Sequence, residues 1–329
     1  MSASAPEMAK TGRGWRVLLG LLATYGTIIG LVLMVLAFSA MAPLAFPHLS
    51  NLVNVLNQAS LAMIIAGGLT VAMIVGELDL SIGFAASFAG VLVTGLIANQ
   101  GFPVPVAIVA VLLVGAFIGL VNGLIVTKMR VNSVIATLGT GTIVVGLNFA
   151  YSTGAPIVSV PDSFVDISIG RIWGIPHNIL TMLAVMAGLW FLVERTSIGQ
   201  SIQAVGGNAI ASRLSGIRVD RIKILGFIVA GVCAALTGIL LASALGSGTT
   251  SAADSYLLTA FAAVFLGSAT LRDGEFHIAG TFVGVLIIAV GFNGLAIFGA
   301  PTFYQYVFQG AILIVSVGLS SLGRVFSES

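Results

Sequence analysis

Charged residues are scarce in this sequence. Only 7% of its 329 residues are charged, whereas 58% are hydrophobic. Soluble domains carry roughly 25% charged residues, so this chain lacks the polar surface that keeps a protein dissolved in water. The composition therefore excludes an ordinary soluble protein and predicts that a lipid bilayer surrounds most of the chain.

Cysteine and histidine are also rare. The one cysteine, Cys233, lies in an apolar run, which excludes a disulfide within the chain. The histidines, His48, His177 and His277, lie far apart without metal-ligand spacing, so we expect no metal site. The sequence also lacks a Gly-x-x-x-x-Gly-Lys-Ser/Thr phosphate loop, and we do not expect the chain to hydrolyse ATP by that route.

Long apolar runs make up most of the sequence. Because a helix needs about 20 apolar residues to cross the hydrocarbon core, these runs predict ten transmembrane helices, at 17–40, 51–75, 82–98, 104–127, 133–151, 178–193, 224–245, 256–270, 276–298 and 304–322. The third, sixth and eighth are notably short, which is typical of broken or re-entrant helices buried against their neighbours. The predicted fold is an all-α, polytopic membrane bundle, with a tail at 1–16, a transmembrane domain at 17–322 and a tail at 323–329.

The positions of lysine and arginine predict the orientation. Cytoplasmic loops carry an excess of these residues. With ten crossings and a cytoplasmic N-terminus, all of the 13 lysines and arginines except Arg171 fall inside. We therefore expect both termini in the cytoplasm, a long outer loop at 152–177 and a long inner loop at 194–223.

The inner loop at 194–223 contains a predicted short helix. Gly206–Gly207 is expected to break the chain, and Asn208 suits the N-cap position that follows. Gly216 suits the left-handed position after a helix end. A helix of about two turns is therefore expected between these two residues.

Apolar residues recur at helical spacing in this short helix. Ile210, Leu214 and Ile217 form one apolar face, and Arg213 and Arg218 flank it. Such a helix either rests on lipid head groups or inserts into a groove of a cytoplasmic partner. The pattern by itself leaves both interpretations open.

Four sequence blocks occur in a specific order. They are GELDLSIGFAASFAGVL (76–92), MRVNSVIATLGTGTIVVGLNFAYSTGAPI (129–157), QAVGGNAIASRLSGIRVDRIK (203–223) and LLTAFAAVFLGSATLRDGEFHIAGTFVGVLII (257–288). Together they resemble the permeases of bacterial sugar ABC importers of the ribose type, from about residue 50 to the C-terminus. Glu77 and the loop LRDGEFHIAG depart from the glycine-rich pattern of that family, which leaves the sugar open.

The resemblance implies a multi-pass permease of the bacterial inner membrane that transports a monosaccharide. Its implied partners are a second permease copy, identical or closely related, two cytoplasmic ATPase subunits that bind the ATP, and a periplasmic sugar-binding protein. The segment Asn208–Ile217 would be the coupling helix that seats in the ATPase groove. We expect no cofactor on this chain, no nucleic-acid partner and no enzymatic activity.

Four acidic residues lie near the predicted inner ends of spans: Glu77, Asp79, Asp273 and Glu275. A charge at membrane depth costs at least ~2.5 kcal/mol on insertion scales, and less near head groups and water. A solvated or arginine-paired turn therefore competes with a conformational latch on the ATPase side. The two turns could approach Arg213 or Arg218 and help seat the coupling helix. No acidic residue is expected in the middle of a span.

Uncharged polar residues within the spans are candidates for the translocation pathway, because a sugar needs hydrogen-bonding groups that hold it weakly. They are Asn57, Gln58, Asn122, Thr140, Asn148, Asn293, Gln305 and Gln309. Buried amides that bond neighbouring helices are the competing interpretation.

Two other functions remain open. Permeases for branched-chain amino acids have a related architecture. An ion-coupled secondary transporter would be expected to carry mid-membrane carboxylates and internal repeats with broken helices. A weak echo between GELDLSIGFAASFAG and GEFHIAGTFVG hints at such a duplication.

Overall fold

The computed structural model describes residues 8–268 and 274–327 of the chain. These residues form thirteen helices and one two-stranded hairpin: α1 (Met8–Met41), α2 (Leu49–Ile74), α3 (Ile82–Ala98), α4 (Val104–Lys128), α5 (Ser133–Ser152), α6 (Asp162–Ile169), β1 (Arg171–Ile172), β2 (Ile175–Pro176), α7 (His177–Arg195), α8 (Ser197–Gly207), α9 (Ala209–Leu214), α10 (Val219–Leu245), α11 (Ser255–Ser268), α12 (Ile278–Ile297) and α13 (Phe303–Ser327). The predicted all-α class is confirmed.

The membrane-spanning candidates match the predicted runs. Among the described residues, six helices are long and apolar enough to cross a bilayer: α2, α4, α5, α7, α10 and α12. Four shorter apolar stretches lie in the other predicted runs: Tyr25–Met41, Ile82–Ala98, Ser255–Ser268 and Phe303–Val315. The helical membrane bundle is thus established, whereas ten crossings and cytoplasmic termini stay predictions.

Helix α2 lies at the centre of the bundle. Every residue from Ala59 to Met73 is buried, and α7, α10, α11 and α12 pack around it. A helix that is apolar on all sides lies either inside a protein or in lipid. The four helices packed on this stretch of α2 place it inside the protein.

Helix α10 packs against α4 through small residues. Gly115 lies against Ala235 and the carbonyl group of Gly231, and Gly119 lies against the carbonyl group of Phe227. A Cβ atom at either α4 glycine would collide with the α10 backbone. Lipid chains are as apolar as side chains, so close van der Waals packing of this kind replaces the hydrophobic effect between membrane helices.

A non-helical segment at 75–81 joins α2 to α3 inside the bundle. The backbone N–H of Leu80 donates to Thr137 Oγ1 of α5 at 3.0 Å, and that of Leu78 donates to Ser133 Oγ at 3.4 Å. Hydroxyl groups of α5 thus accept hydrogen bonds from backbone N–H groups of this segment, which lie outside any helix. A buried backbone N–H group requires such a partner.

A second non-helical segment, at 246–254, returns into the bundle from the end of α10. Gly248 forms an antiparallel bridge with Ile157 and lies near Thr94, whereas Asp254 contacts Ser87, two turns earlier on α3. The segment therefore runs back along α3, and α11 begins inside the bundle. This geometry explains why the eighth predicted span is short.

The outer loop at 152–177 is folded. It contains α6 and the β1–β2 hairpin, in which Arg171 pairs with Pro176 and Ile172 pairs with Ile175. Trp173 lies at the tip of the hairpin and is 97% exposed. None of these elements is predicted by the hydrophobic pattern of the sequence.

Replacement of Gly119 tests the α4–α10 contact. We expect Gly119→Leu to lower the stability of the detergent-solubilised protein by about 1–3 kcal/mol, because the side chain would separate two close backbones. Thermal unfolding followed by fluorescence measures the effect. Gly146→Leu on α5 is the matched control, since nothing lies within 4 Å of a Cβ atom there. Equal melting temperatures of the two variants would contradict the packing described here.

Candidate functional site

A cavity of about 700 Å³ lies between α2, α7, α10, α11 and α12. Its polar lining comes from three helices and the segment at 246–254: Asn57, Gln58, Asn178, Thr249, Ser251, Ser255, Tyr256 and Thr259. The cavity exists because α11 starts inside the bundle, so that an irregular backbone occupies the place of a helix turn. Irregular backbone at membrane depth is tolerated where it lines such a cavity.

The cavity wall combines amides and hydroxyls with apolar side chains. Leu61, Leu241 and Phe292 contribute apolar surface. Within the described part of the chain, no charged side chain lines this cavity. A concave, largely apolar site with a few convergent uncharged polar groups suits a small neutral solute with hydroxyl groups.

A second hollow, of about 660 Å³, lies at the N-terminal end of α2, beside the outer hairpin. Asn51 and Asn54 of α2 line it together with Arg171. Asn57 lines both this hollow, which we call the vestibule, and the cavity. The two spaces therefore lie on either side of the Asn57 side chain.

Two of the eight predicted pathway residues, Asn57 and Gln58, line the cavity. Gln309 lies just behind the wall, where its Nε2 donates to Thr259 Oγ1 at 2.9 Å. Gln305 is half-buried in the first turn of α13. The other four bond within or between elements: Asn122 to Ser81, Asn148 to Thr250, Asn293 to Asn51, and Thr140 to Ala136.

Sequence reasoning missed most of the cavity lining. Thr249, Ser251 and Ser255 fall between the predicted spans 224–245 and 256–270, and Asn178 and Tyr256 are not among the predicted pathway residues. The available signal was the polar stretch SGTTSAADS at 247–255 directly before an unusually short span. Short polar stretches next to short spans are typical of discontinuous membrane helices.

Asp254 is a partly buried carboxylate in the segment between the predicted spans 224–245 and 256–270. Its Oδ1 accepts a hydrogen bond of 2.6 Å from Ser87 Oγ, and the same hydroxyl accepts from the N–H of Ala253 at 3.0 Å. The carboxylate thus lies beside the first half of α3. Asp254 belongs to the non-helical segment before α11 and not to the middle of a span, and the contact with Ser87 gives the carboxylate a structural role.

The first acidic turn pairs with α10 rather than with the inner-loop arginines. Glu77 forms a salt bridge with Lys223, and the Glu77 side chain is only 9% exposed. Asp79 is buried, and its Oδ1 accepts from both the backbone N–H and the hydroxyl of Ser81 at 2.9 and 2.6 Å. The expected approach of this turn to Arg213 or Arg218 is therefore not observed.

The second acidic turn is described only in part. Asp273 lies outside the described residues, and Glu275 is exposed. The backbone carbonyl of Glu275 contacts His277 Nδ1 at 3.0 Å.

The short helix predicted in the inner loop is confirmed as α9. Asn208 Oδ1 accepts from the N–H groups of Ile210 and Ala211 at 3.0 and 2.9 Å, which makes it the N-cap. Gly216 follows the helix with φ +87°, the left-handed conformation that glycine adopts without strain. The expectation that Gly206–Gly207 breaks the chain is wrong by one residue, because both glycines close α8 and the break falls at Asn208.

The apolar face of α9 is exposed. Ile210 is 76% and Leu214 is 86% exposed, whereas Ile217 packs against the core. Arg213 beside them pairs with Asp220 at 3.0 Å, and Asp220 also pairs with Lys128. Two large apolar side chains flanked by a positively charged one are thus held at the surface by a capped helix.

Helix α8 connects this surface to the centre of the bundle. Thr196 Oγ1 caps α8 by accepting from the N–H of Gly199 at 3.0 Å. Gly206 lies against the backbone carbonyl of Ile74, at the end of α2, and leaves no room for a Cβ atom. The inner loop therefore rests directly on the central helix.

Comparison with known proteins now identifies the family. Residues 51–317 match the family described as branched-chain amino acid transport system / permease component. This chain belongs to that permease family. The match includes every residue that lines the cavity and the whole of the inner loop, so both are features of a transport permease.

Curated relatives are sugar permeases. The chain is 37% identical to the ribose import permease protein RbsC of Bacillus subtilis (strain 168), over 91% of this chain and 92% of that protein. It is 34% identical to RbsC of Escherichia coli (strain K12), over 88% and 91%, and 33% identical to the L-arabinose ABC transporter permease protein AraH of Azospirillum brasilense, over 88% and 86%. No solved structure matches the chain.

The Glu77–Lys223 pair provides a test of the α2–α3 turn. We expect Lys223→Met to destabilise the permease by about 3 kcal/mol, because it leaves a buried carboxylate without its partner. The double variant Glu77→Gln with Lys223→Met should recover most of the loss in thermal unfolding.

Asp220→Asn is the control for that experiment. Its ion pairs are exposed, and exposed pairs contribute only about 0–1 kcal/mol. If Lys223→Met and Asp220→Asn lowered stability equally, the Glu77–Lys223 pair would not have the structural importance assigned to it.

Proposed function

We propose that this chain is the membrane-embedded permease of a binding-protein-dependent ABC importer and that it moves a neutral monosaccharide across the bacterial inner membrane. The names of the relatives, ribose import permease and L-arabinose permease, support the substrate class. The single structural observation that supports it best is the cavity at the broken start of α11, which is lined by amides and hydroxyls without a charged side chain among the described residues.

The uncharged lining also distinguishes the sugar from the alternatives. A branched-chain amino acid carries a carboxylate and an ammonium group, and both lose hydration on entering such a site without gaining an opposite charge. An ion-coupled transporter would need a carboxylate that binds and releases an ion. Asp254, which lies nearest, accepts a short hydrogen bond from Ser87 and does not line the cavity.

The proposal includes the partners that such an importer needs. A second permease copy would complete the translocation unit, cytoplasmic ATPase subunits would bind ATP, and a periplasmic protein would deliver the sugar. The exposed apolar face of α9 supports the cytoplasmic contact, since a helix can lay such a face into the groove of a partner protein. The chain itself would hold no cofactor and carry out no chemical reaction.

Ten crossings with both termini in the cytoplasm complete the proposal, and thiol labelling tests them. Cys233 is buried, so the native chain serves as an unreactive background. We expect a membrane-impermeant maleimide to label Trp173→Cys in intact spheroplasts and Leu214→Cys only after permeabilisation. Labelling of both positions from the same side would contradict the proposed topology.

The charge and apolar surface of α9 test the energy coupling. In the full importer, we expect Arg213→Glu combined with Leu214→Glu to reduce ATPase-subunit pulldown and D-ribose uptake by at least about tenfold, as loss of a central interface anchor does. Met129→Glu is the matched control, because Met129 is 70% exposed and lies outside α9. Unchanged pulldown and uptake in the α9 variant would rule out this docking surface.

Uptake by the native importer tests the substrate class. Labelled D-ribose, D-galactose, L-arabinose and L-leucine are compared in proteoliposomes that contain ATP, the ATPase subunits and the binding protein. Uptake of a sugar without uptake of L-leucine is expected. Uptake of L-leucine without uptake of any sugar would contradict the proposed substrate class and indicate an amino acid permease.

A further inference from the structure

Tyr256 lies in the first turn of α11, where the non-helical segment at 246–254 becomes helical again. Its backbone N–H donates to the carbonyl group of Ala253 at 3.0 Å, and the N–H of Ala253 donates to Ser87 Oγ at 3.0 Å. The tyrosine side chain packs against the hydrophobic core of the bundle and lines the cavity. The re-entrant backbone thus holds an aromatic ring at the cavity wall.

The hydroxyl group of Tyr256 has no hydrogen-bond partner among the described residues, and protein atoms leave part of it accessible. Asn57 Oδ1, between the cavity and the vestibule, is by contrast enclosed by protein atoms. A tyrosine hydroxyl in a largely buried position usually has a partner. In this protein the hydroxyl group of Tyr256 is therefore left for a solute or for water in the cavity.

The neighbouring hydroxyl on α11 shows the usual arrangement. Thr259 Oγ1 donates to the carbonyl group of Ser255 at 3.1 Å and accepts from Gln309 Nε2 at 2.9 Å. Both hydrogen-bonding functions of that hydroxyl are thus used within the protein. Thr259 and Tyr256 line the same cavity, so the difference between them sets Tyr256 apart as a group with free hydrogen-bonding capacity.

Asn178 of α7 contributes a second group of this kind. Its Oδ1 accepts from Ser168 Oγ of α6 at 2.8 Å. Its Nδ2 has no partner among the described residues and is not enclosed, although the residue as a whole is only 4% exposed. Because Asn178 lines the cavity, Ser168 orients the amide so that the NH₂ end remains available there.

These two groups fit the chemistry of a neutral polyol. An amide NH₂ group only donates, whereas a phenolic hydroxyl group donates and accepts. A sugar offers hydroxyl groups that do both, and its C–H surface can pack on apolar wall residues such as Leu61 and Phe292. Neither Tyr256 nor Asn178 carries a charge, so neither compensates for the lost hydration of an ionised solute.

We infer that Tyr256 is a specificity-determining residue, whose hydroxyl group bonds one hydroxyl group of the transported sugar inside the cavity. This inference rests on the proposed function and adds that the permease itself discriminates between sugars. A site built to bond a hydroxyl group rejects an analogue without that group, because its own polar group then stays unpaired.

Tyr256→Phe tests the contact in the complete importer, reconstituted in proteoliposomes. The variant removes one oxygen atom and keeps the ring that packs against the core. The sugar that the native importer takes up, among D-ribose, D-galactose and L-arabinose, is compared with its monodeoxy analogues. The native importer should disfavour at least one analogue. Tyr256→Phe should reduce uptake of the parent sugar by about fivefold and remove its advantage over that analogue.

Tyr306→Phe on α13 is the matched control. Tyr306 is 64% exposed and does not line the cavity, so removal of the same atom there should leave uptake and preference unchanged. The binding protein is the same in every reaction, and a change in the ratio of two uptake rates therefore belongs to the permease. ATP hydrolysis stimulated by the loaded binding protein should be retained in both variants and reports correct assembly.

The outcomes distinguish the inference from the proposed function. If the native importer takes up none of the three sugars, the proposed function fails and the inference fails with it. If the native importer transports a sugar and Tyr256→Phe keeps its rate and its preference, the inference is overturned and the function stands. An equal fractional loss for the parent sugar and every analogue also overturns it, because loss of one contact must affect these sugars unequally.

The parent sugar alone decides if the binding protein accepts none of the analogues. A fivefold loss of uptake in Tyr256→Phe, with none in Tyr306→Phe and with stimulated ATP hydrolysis retained, then supports the contact. Native uptake in Tyr256→Phe contradicts it.

Discussion

Every backbone amide away from water needs a hydrogen-bond partner, and the architecture of this permease depends on how two non-helical segments meet that need. The segment at 75–81 bonds to Ser133 and Thr137 of α5. The segment at 246–254 bonds to Ser87 of α3 and Asn148 of α5. In hydrocarbon, regular helices satisfy their own backbone, so these side chains allow two departures from helix within the bundle.

The cavity is a consequence of the second departure. Because 246–254 runs back along α3, α11 is short and leaves space beside α2. The first departure instead stiffens the inner end of α2, where Glu77 pairs with Lys223 and Asp79 bonds to Ser81. One break thus creates room for a solute near the middle of the bundle, and the other fixes the turn beside the inner loop.

The sequence predicted the helical class and the positions of all ten apolar runs, because long hydrophobic stretches have few alternatives in a bilayer. It also predicted α9, since an N-cap asparagine and a left-handed glycine are local signals. The cavity lining was not predictable in the same way. An amide such as Asn57 or Asn293 faces either a cavity or another amide, depending on how its helix is rotated about its own axis. The pattern of hydrophobic residues does not determine that rotation when most of the helix is apolar. The re-entrant path of 246–254 depends on tertiary contacts for the same reason.

Helix α2 has 26 residues, which at about 1.5 Å per residue give a rod about 39 Å long. One end of this rod lies under Gly206 of the inner loop, and the face near its other end carries Asn57. Close packing along fifteen buried residues in succession leaves the rod little freedom to bend. A displacement of α2 along its axis would therefore move the end under Gly206 and the face that carries Asn57 together.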